Sequence, residues 1–175
     1  TGAYSIPLNE EGFDVTAVEL VEHNIDIFRS KNSGVPVHQG DARDLSRFHD
    51  DSFDVVLLFG PIYHLLSRDD KIQVLKEAKR VVKNGGLILT SYYMNDYAIL
   101  TYGFFKQNIL EAKKNGQFDQ DFHMLSIDGD LYSMVRIEDI NGFNGYITDA
   151  GQLQGDIAEF WHGDTFNIRA AVLDS

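Results

Sequence analysis

The stretch FDVVLLFGPIYHLL, residues 53–66, combines a run of bulky apolar residues with an abrupt break. Its first half is rich in valine, leucine and phenylalanine, which is typical of a strand covered on both faces of a parallel sheet. The run ends at Gly60 and Pro61, and Tyr63 and His64 follow immediately. A strand that ends by presenting an aromatic and a titratable ring is either a packed turn or the edge of an active site.

The first half of the chain alternates between strand-like and helical patterns. The predicted strands are, in chain order, 13–20, 35–39, 54–59 and 87–92. The predicted helices are 4–11, closed by Gly12, 24–31, and 69–83, closed by Asn84, Gly85 and Gly86. A glycine pair directly after a helical pattern is a helix-stop signal. Strands and helices that alternate in this way predict an α/β doubly wound domain with a parallel sheet.

The second half of the chain is less regular and contains two hairpin signals. One or two helices rich in aromatic residues are predicted over 95–114, and a further helix over 137–150, ended by Gly151. Asp128-Gly129 lies between two mixed apolar runs in 122–136, and Gly163-Asp164 occupies the same position in 156–173. Such dipeptides between apolar runs predict β-hairpins.

Charge and composition exclude several classes of partner. The chain has 175 residues, with 27 acidic and 15 basic residues and a formal net charge of −12. Nucleic acid is bound mainly through lysine and arginine, so a small-molecule substrate is favoured and nucleic acid is not. The chain lacks cysteine and its histidines lack ligand spacing, so no metal site is predicted. There is no apolar run of roughly 18 residues and no signal peptide pattern, which predicts no membrane partner and a cytoplasmic setting.

Two acidic residues lie where a ligand of a doubly wound sheet would bind. Ligands of such sheets bind beyond the carboxyl ends of the strands, and Glu19 and Asp41 lie at the ends of the predicted strands 13–20 and 35–39. One carboxylate could accept hydrogen bonds from both ribose hydroxyls, and the other from the exocyclic amine of adenine. The alternative is that Glu19 neighbours a helix N-cap and Asp41 belongs to a turn.

Four stretches resemble class I S-adenosylmethionine-dependent methyltransferases. They are TGAYSIPLNEEGFDVTAVEL (1–20), GDARDL (40–45), FDVVLLFGPIYHLL (53–66) and RVVKNGGLILTSYY (80–93). The resemblance implies a doubly wound Rossmann-like methyltransferase sheet, mostly parallel with a C-terminal antiparallel hairpin, in an α/β/α sandwich. It also implies one domain over 1–175, with a cofactor-binding half at 1–93 and a candidate substrate lid at 94–136. No strand precedes the helix at 4–11, so we expect a strand and the front of a glycine turn upstream of Thr1.

The resemblance also implies S-adenosylmethionine as the cofactor. The implied cofactor-binding residues are Gly2, Glu19, Leu20, Asp41, Ala42, Phe59 and Gly60. Gly2 would be the last glycine of the cofactor loop and Glu19 the ribose ligand. Asp41 would meet the adenine amine, with the Ala42 backbone near the ring. Phe59 and Gly60 would pass beside the methionine part of the cofactor.

The same resemblance bears on the methyl acceptor. Methyltransferases of exocyclic nucleobase amines often carry Asp or Asn at the position of Gly60, where its side chain accepts from the target amine. Glycine lacks this acceptor, so a small-molecule acceptor is favoured, whether oxygen, nitrogen or carbon attacks. His64 is the candidate general base if the acceptor must lose a proton, and Tyr63 is a candidate wall or hydrogen-bond donor. Alternatively, His64 packs against the next helix.

Two other functions compete with this hypothesis. The opening TGA, with Tyr102 and Lys106, imitates the cofactor turn and Tyr-x-x-x-Lys pair of short-chain NAD(P)-dependent oxidoreductases. The short spacing from Gly2 to Gly12 disfavours that family. A nucleotide-binding Rossmann-like protein that keeps the fold without turnover is the second alternative. The sequence specifies no oligomeric state.

Overall fold

The structure, a computed structural model, describes residues 1–144, 157–162 and 166–173. Contacts between Cα atoms divide the chain into two units, Thr1–Arg47 and Phe48–Ser175. The first carries a two-stranded sheet, and the second carries a five-stranded sheet.

The first unit contains two helices and two short parallel strands. In chain order these are α1 (Ser5–Glu10), β1 (Ala17–Glu19), α2 (Glu22–Ser30) and β2 (Val37–Gln39). The predicted elements are confirmed, but both strands are shorter than predicted. Pro36 has no N–H to donate, and the ladder accordingly begins at Val37, which pairs with Ala17. The apolar face of α2 buries Ile25 and Phe28, which are 1% and 3% exposed.

The sheet of the second unit is mixed. Its strands are β3 (Phe53–Leu58), β4 (Val82–Met94), β5 (Met134–Val135), β6 (Ile157–His162) and β7 (Phe166–Leu173). The strand order is β3-β4-β7-β6, and β5 also pairs with β4. Both β3 and β5 run parallel to β4, whereas β7 is antiparallel to β4 and β6. Tyr93 pairs with β5 and β7 at once, so β5 lies on the same edge of β4 as β3.

The described part of the second unit also contains six helices. They are α3 (Pro61–His64), α4 (Arg68–Val81), α5 (Asn95–Ala98), a π-helix (Ile99–Phe105), α6 (Ile109–Lys114) and α7 (Ile137–Asn144), of which α3, α4 and α5 contact β4. Ser67 caps α4, because its hydroxyl accepts a hydrogen bond from the backbone N–H of Asp70 at 3.0 Å. Among the most deeply buried side chains of the second unit are Ile62, Val74, Leu75 and Ala78, each 0% exposed. The burial of these side chains anchors α3 and α4, the two helices that follow β3 in the chain.

The glycine pair after α4 has a different role from the predicted one. The helix ends at Val81, and Gly85 and Gly86 lie inside β4. A Cβ at Gly86 would lie 2.7 Å from the carbonyl oxygen of Asp54 on β3, and Gly85 has a positive φ of 79°. The close approach of the two strands therefore requires glycine at 86, and the backbone conformation favours glycine at 85. The prediction that these glycines stop the helix was wrong.

The two hairpin predictions had different outcomes. The hairpin over 122–136 was wrong: a turn forms at Asp128-Gly129, but Met134–Val135 pairs with β4 instead. The flanking residues Ile127 and Leu131 are 67% and 64% exposed, so they offer no buried face that could hold a hairpin together. The second hairpin is confirmed by the antiparallel pairing of β6 with β7. Its turn at Gly163-Asp164, and the predicted helix end at Gly151, lie outside the described residues.

The segment 94–136 has a small core of its own. Ile99, Ala112 and Phe118 are buried together. The buried Asn95 side chain donates to the carbonyl of Phe122 and accepts from the N–H of Met124. In the described parts of the chain, no helix is both long and apolar enough to cross a bilayer.

Candidate functional site

Two carboxylates lie beyond the carboxyl ends of the parallel strands β1 and β2. Glu19 ends β1 and pairs with Gln39, which ends β2 and is followed by Gly40 and Asp41. The side chain of Glu19 is 24% exposed, and its Oε1 accepts a hydrogen bond from the N–H of Val21 at 3.1 Å. The structure thus brings the two predicted carboxylates to one edge of the same small sheet.

The glycine end of the first unit reaches the same edge. The backbone nitrogen of Thr1 lies 3.5 Å from Oε2 of Glu19, and Gly2 follows with a φ of +80°. A Cβ at Gly2 would lie 2.8 Å from Ile6 and 2.9 Å from Phe28, so only glycine fits there without displacement. The predicted residue Gly2 therefore directly follows a residue that lies against Glu19 at this edge. Leu20, directly after Glu19, is 60% exposed, and Ala42 is half-buried.

Asp41 is held by an arginine two residues along the chain. Its carboxylate pairs with the Arg43 guanidinium, with Nη2 to Oδ2 at 2.6 Å, and accepts from the backbone N–H of Arg43 at 2.8 Å. The Arg43 side-chain hydrogen bonds hold the pKa of Asp41 below its ordinary value. Asp41 is consequently ionised and oriented at neutral pH, which suits an acceptor of hydrogen bonds.

Replacing Arg43 with methionine is expected to raise the pKa of Asp41 toward the ordinary value of about 3.9. The largest cause of the lowered pKa is the side-chain hydrogen bond from Arg43, which the substitution removes. In the wild type the Asp41–Arg43 pair stabilises the fold at pH values above the ordinary pKa, and this contribution disappears as the pH falls through the lowered pKa. Carboxyl-carbon NMR titration measures the pKa directly. Arg47→Met, at an exposed position of the same unit, is the control and should leave it unchanged; an unmoved pKa in Arg43→Met would contradict the assignment.

In the second unit, the chain turns sharply after β3. Phe59 is half-buried, and Gly60 precedes α3, which has Pro61 as its first residue. Apart from its two chain neighbours, no described residue has a heavy atom within 4 Å of a Cβ built at Gly60. The backbone at Gly60 is therefore open on its Cβ side, as the approach of a ligand requires.

Four rings gather near the carboxyl ends of the strands β3 and β4. The Tyr63 and Tyr93 rings stack with their centroids 4.3 Å apart and their planes 1° apart. The Tyr132 ring lies 4.8 Å from Tyr93 and 5.2 Å from the ring of His64. We call these four side chains the aromatic cluster. Burial, followed by the neighbouring Tyr63 and Tyr132, raises the pKa of Tyr93 to about 12, so its phenol stays protonated at neutral pH.

His64 is exposed, and one of its nitrogens has a fixed partner. Nδ1 lies 2.9 Å from the carbonyl oxygen of Leu131. A carbonyl oxygen only accepts, so this hydrogen bond requires the proton on Nδ1. In the neutral ring the lone pair is then on Nε2, which is the nitrogen able to take up a proton.

The family of the chain follows from comparison with known proteins. The sequence model described as "Methyltransferase domain" matches residues 1–90, just over half of the chain. The chain belongs to this family. The match includes both carboxylates and the stretch that leads into the aromatic cluster, and it identifies the chain as a class I S-adenosylmethionine-dependent methyltransferase by family and fold.

Individual relatives agree with the family. The methyltransferase-family protein YqeM of Bacillus subtilis (strain 168) is 36% identical over 93 residues, 51% of this chain and 37% of YqeM. The glycine/sarcosine N-methyltransferase of Aphanothece halophytica is 33% identical over 109 residues, 59% of this chain and 41% of the enzyme. The chain thus spans about two fifths of the length of these relatives.

A solved structure shares the fold at low sequence identity. A SAM-dependent methyltransferase of Methanosarcina mazei matches with a TM-score of 0.68 and 16% identity, covering 98% of this chain and 85% of that one. This likeness confirms the predicted Rossmann-like methyltransferase fold. All of these matches are methyltransferases, so they favour neither of the two competing functions.

Family membership implies S-adenosylmethionine as the cofactor, and the carboxylate acceptors of the first unit fit it. The ribose and the adenine amine of this molecule are hydrogen-bond donors, and Glu19 and Asp41 present carboxylate acceptors on adjacent strand ends. Both oxygens of Asp41 already accept hydrogen bonds from Arg43, so an adenine amine would share or replace one of these bonds.

Sequence reasoning missed three members of the second-unit site. Tyr93 stands one residue beyond the predicted end of its strand, so a longer strand assignment would have found it. Tyr132 and the carbonyl of Leu131 belong to a run assigned to a hairpin, and no local pattern places them beside His64. Tertiary contacts bring them there, namely the pairing of β5 with β4 and the hydrogen bond from the Ser133 N–H to the Tyr63 carbonyl.

Proposed function

We propose that the protein is an active S-adenosylmethionine-dependent methyltransferase that methylates a small-molecule acceptor. The observation that supports this most directly is the placement of Glu19 and Asp41 on the ends of two paired parallel strands. The net charge of −12 and the absence of an acceptor side chain at Gly60 support a small molecule over a nucleic acid. A cytoplasmic setting remains a prediction.

In this proposal the first unit binds the cofactor. Glu19, with Leu20 beside it, binds the ribose, and Asp41 and the Ala42 backbone bind the adenine. Gly2 closes the cofactor loop, and its positive φ of 80° supports this role because no side chain is tolerated there. Residues 1–93 would form the cofactor-binding half of a single domain over 1–175.

The second unit contributes the acceptor side of the reaction. When bound, S-adenosylmethionine supplies an electrophilic methyl group. Phe59 and Gly60 would line the approach to its methionine part, and Tyr63 would form a wall. His64 would take a proton at Nε2 from an acceptor that must lose one. Most of the acceleration would come from holding the attacking atom in line with the methyl group.

The segment 94–136 is the proposed substrate lid. It presents large apolar side chains to solvent, including Tyr102, Phe105 and Leu110, which are 54%, 85% and 79% exposed. Exposed apolar surface of this extent is common where a ligand or partner binds. Tyr102 and Lys106, the pair that suggested an oxidoreductase, lie in and directly after the π-helix of this segment.

Thermal melting with four ligands tests the cofactor. The full-length protein is melted with S-adenosylhomocysteine, S-adenosylmethionine, NAD and NADP in turn. A ligand at about 100 times its Kd stabilises the folded state by about 2.7 kcal/mol, which corresponds to about 5–10 °C in Tm for a chain of this size. We expect a shift with the two adenosyl sulfur compounds. A shift with the dinucleotides alone would overturn the proposal.

Turnover separates an enzyme from a binding protein. S-adenosylhomocysteine formation is measured with a panel of small amines, alcohols and activated carbon acids, with duplex DNA as the comparison. Glycine and sarcosine head the panel because a relative with 33% identity is named for them. We expect product with a member of the panel and none with DNA. Cofactor binding without turnover on any acceptor would favour the non-catalytic alternative.

A further inference from the structure

A buried lysine behind the aromatic cluster has no role in the steps above. Lys71 on α4 is 4% exposed, and its Nζ donates to the carbonyl of Leu65 and, at 2.7 Å, to Oγ of Ser133. Burial lowers its pKa, while Asp139 and Asp70 act in the opposite direction. A lysine buried to this degree is uncommon. Its ammonium group donates hydrogen bonds to the loop after α3 and to the chain before β5.

Ser133 completes the connection. It is 2% exposed, its N–H donates to the carbonyl of Tyr63 at 2.7 Å, and its hydroxyl lies 2.7 Å from the carbonyl oxygen of Leu65. We call Lys71, Ser133 and these two carbonyls the latch. The latch joins both ends of the turn that carries His64 to a residue far along the chain.

The chain that the latch holds has little other support. Residues 125–133 form neither helix nor strand in the structure, and β5, which follows, has two residues. Directly before Ser133, the Tyr132 ring lies against the His64 ring of the aromatic cluster, and the carbonyl of Leu131 accepts from Nδ1 of His64. The position of that carbonyl therefore depends on Ser133 being held against the turn.

We propose that Lys71 and Ser133 are positioning residues that determine which nitrogen of His64 carries the proton. By keeping the Leu131 carbonyl at Nδ1, the latch selects the Nδ1–H tautomer and leaves Nε2 as the basic atom. The consequence for catalysis rests on the proposed function, in which Nε2 takes the proton of the acceptor. The effect of the latch on the tautomer of His64 does not depend on the proposed function.

Nitrogen NMR of the His64 ring tests the proposal without cofactor or acceptor. The histidine-labelled full-length protein is titrated with base until the His64 signals no longer move, and the tautomer is read at that pH. His64→Asn identifies its signals. We expect the wild type to show the Nδ1–H tautomer, and Lys71→Met and Ser133→Ala to move the population toward Nε2–H, which free histidine prefers. Lys71→Arg keeps the charge and the donors and should retain more of the wild-type signal.

The controls separate this role from a general loss of structure. Lys76→Met removes an exposed lysine from the same helix and should leave the tautomer unchanged. Circular dichroism verifies that each variant is folded, and Ser133→Ala, a smaller change, decides the matter if Lys71→Met does not fold. An unchanged Nδ1–H tautomer in folded Ser133→Ala, or an Nε2–H tautomer in the wild type, would overturn the proposal. Failure of the ligand-melting experiment would instead count against the proposed function alone.

Discussion

Replacement of Glu19 with alanine is expected to weaken S-adenosylhomocysteine binding by about 10- to 100-fold, since hydrogen bonds to a charged group contribute about 1.5–3 kcal/mol. The side chain is 24% exposed, and its Oε1 is oriented by the N–H of Val21. Both features suit a carboxylate that holds the two hydroxyls of a ribose. Isothermal titration calorimetry with S-adenosylhomocysteine measures the effect without any acceptor.

Two further variants make this measurement specific. Glu19→Gln keeps one acceptor oxygen and should have an intermediate Kd. Glu22→Ala removes the same charge from an exposed position in the first turn of α2, three residues away, and should bind as the wild type does. Equal affinity for Glu19→Ala and Glu22→Ala would show that Glu19 is not the ribose ligand.

Replacement of His64 with asparagine is expected to reduce kcat by about 10²- to 10⁴-fold for an acceptor that must lose a proton, the range typical of a lost general base. The asparagine amide can still donate to the carbonyl of Leu131, but it has no basic atom at the position of Nε2. The variant therefore removes the proton acceptor and keeps the local hydrogen bond. The rate of S-adenosylhomocysteine formation with the acceptor found in the panel measures the effect.

The same assay distinguishes the base from its neighbours. Tyr63→Phe keeps the ring that stacks on Tyr93 at 4.3 Å and loses only the hydroxyl, so a wall residue should retain most of the activity. In the His64→Asn variant, S-adenosylhomocysteine affinity should be unchanged. Full activity of His64→Asn would mean that the acceptor reacts without help from a base, and that positioning alone accounts for the rate.

The sequence predicted that the two proposed cofactor carboxylates share one edge of a sheet, because each lies at or just beyond the end of a strand. Glu19 is the last residue of β1 and Asp41 lies two residues beyond β2, and parallel pairing brings such strand ends to one edge. The acceptor side was readable only in part. Tyr63 and His64 lie within six residues of the run at 53–58, whereas Tyr132 belongs to a run whose pattern predicted a hairpin that does not form.

The sequence by itself determined the α/β architecture, since continuous apolar runs are typical of strands covered on both faces and helical periodicity is typical of helices with one buried face. It also determined the family, because the motifs at residues 1–90 are local. Only the tertiary structure decided that Gly86 serves a close strand approach and that Leu131 faces His64. Both depend on contacts between residues far apart in the chain, and Met134–Val135 pairs with the edge of β4 rather than across a hairpin around the turn at Asp128-Gly129.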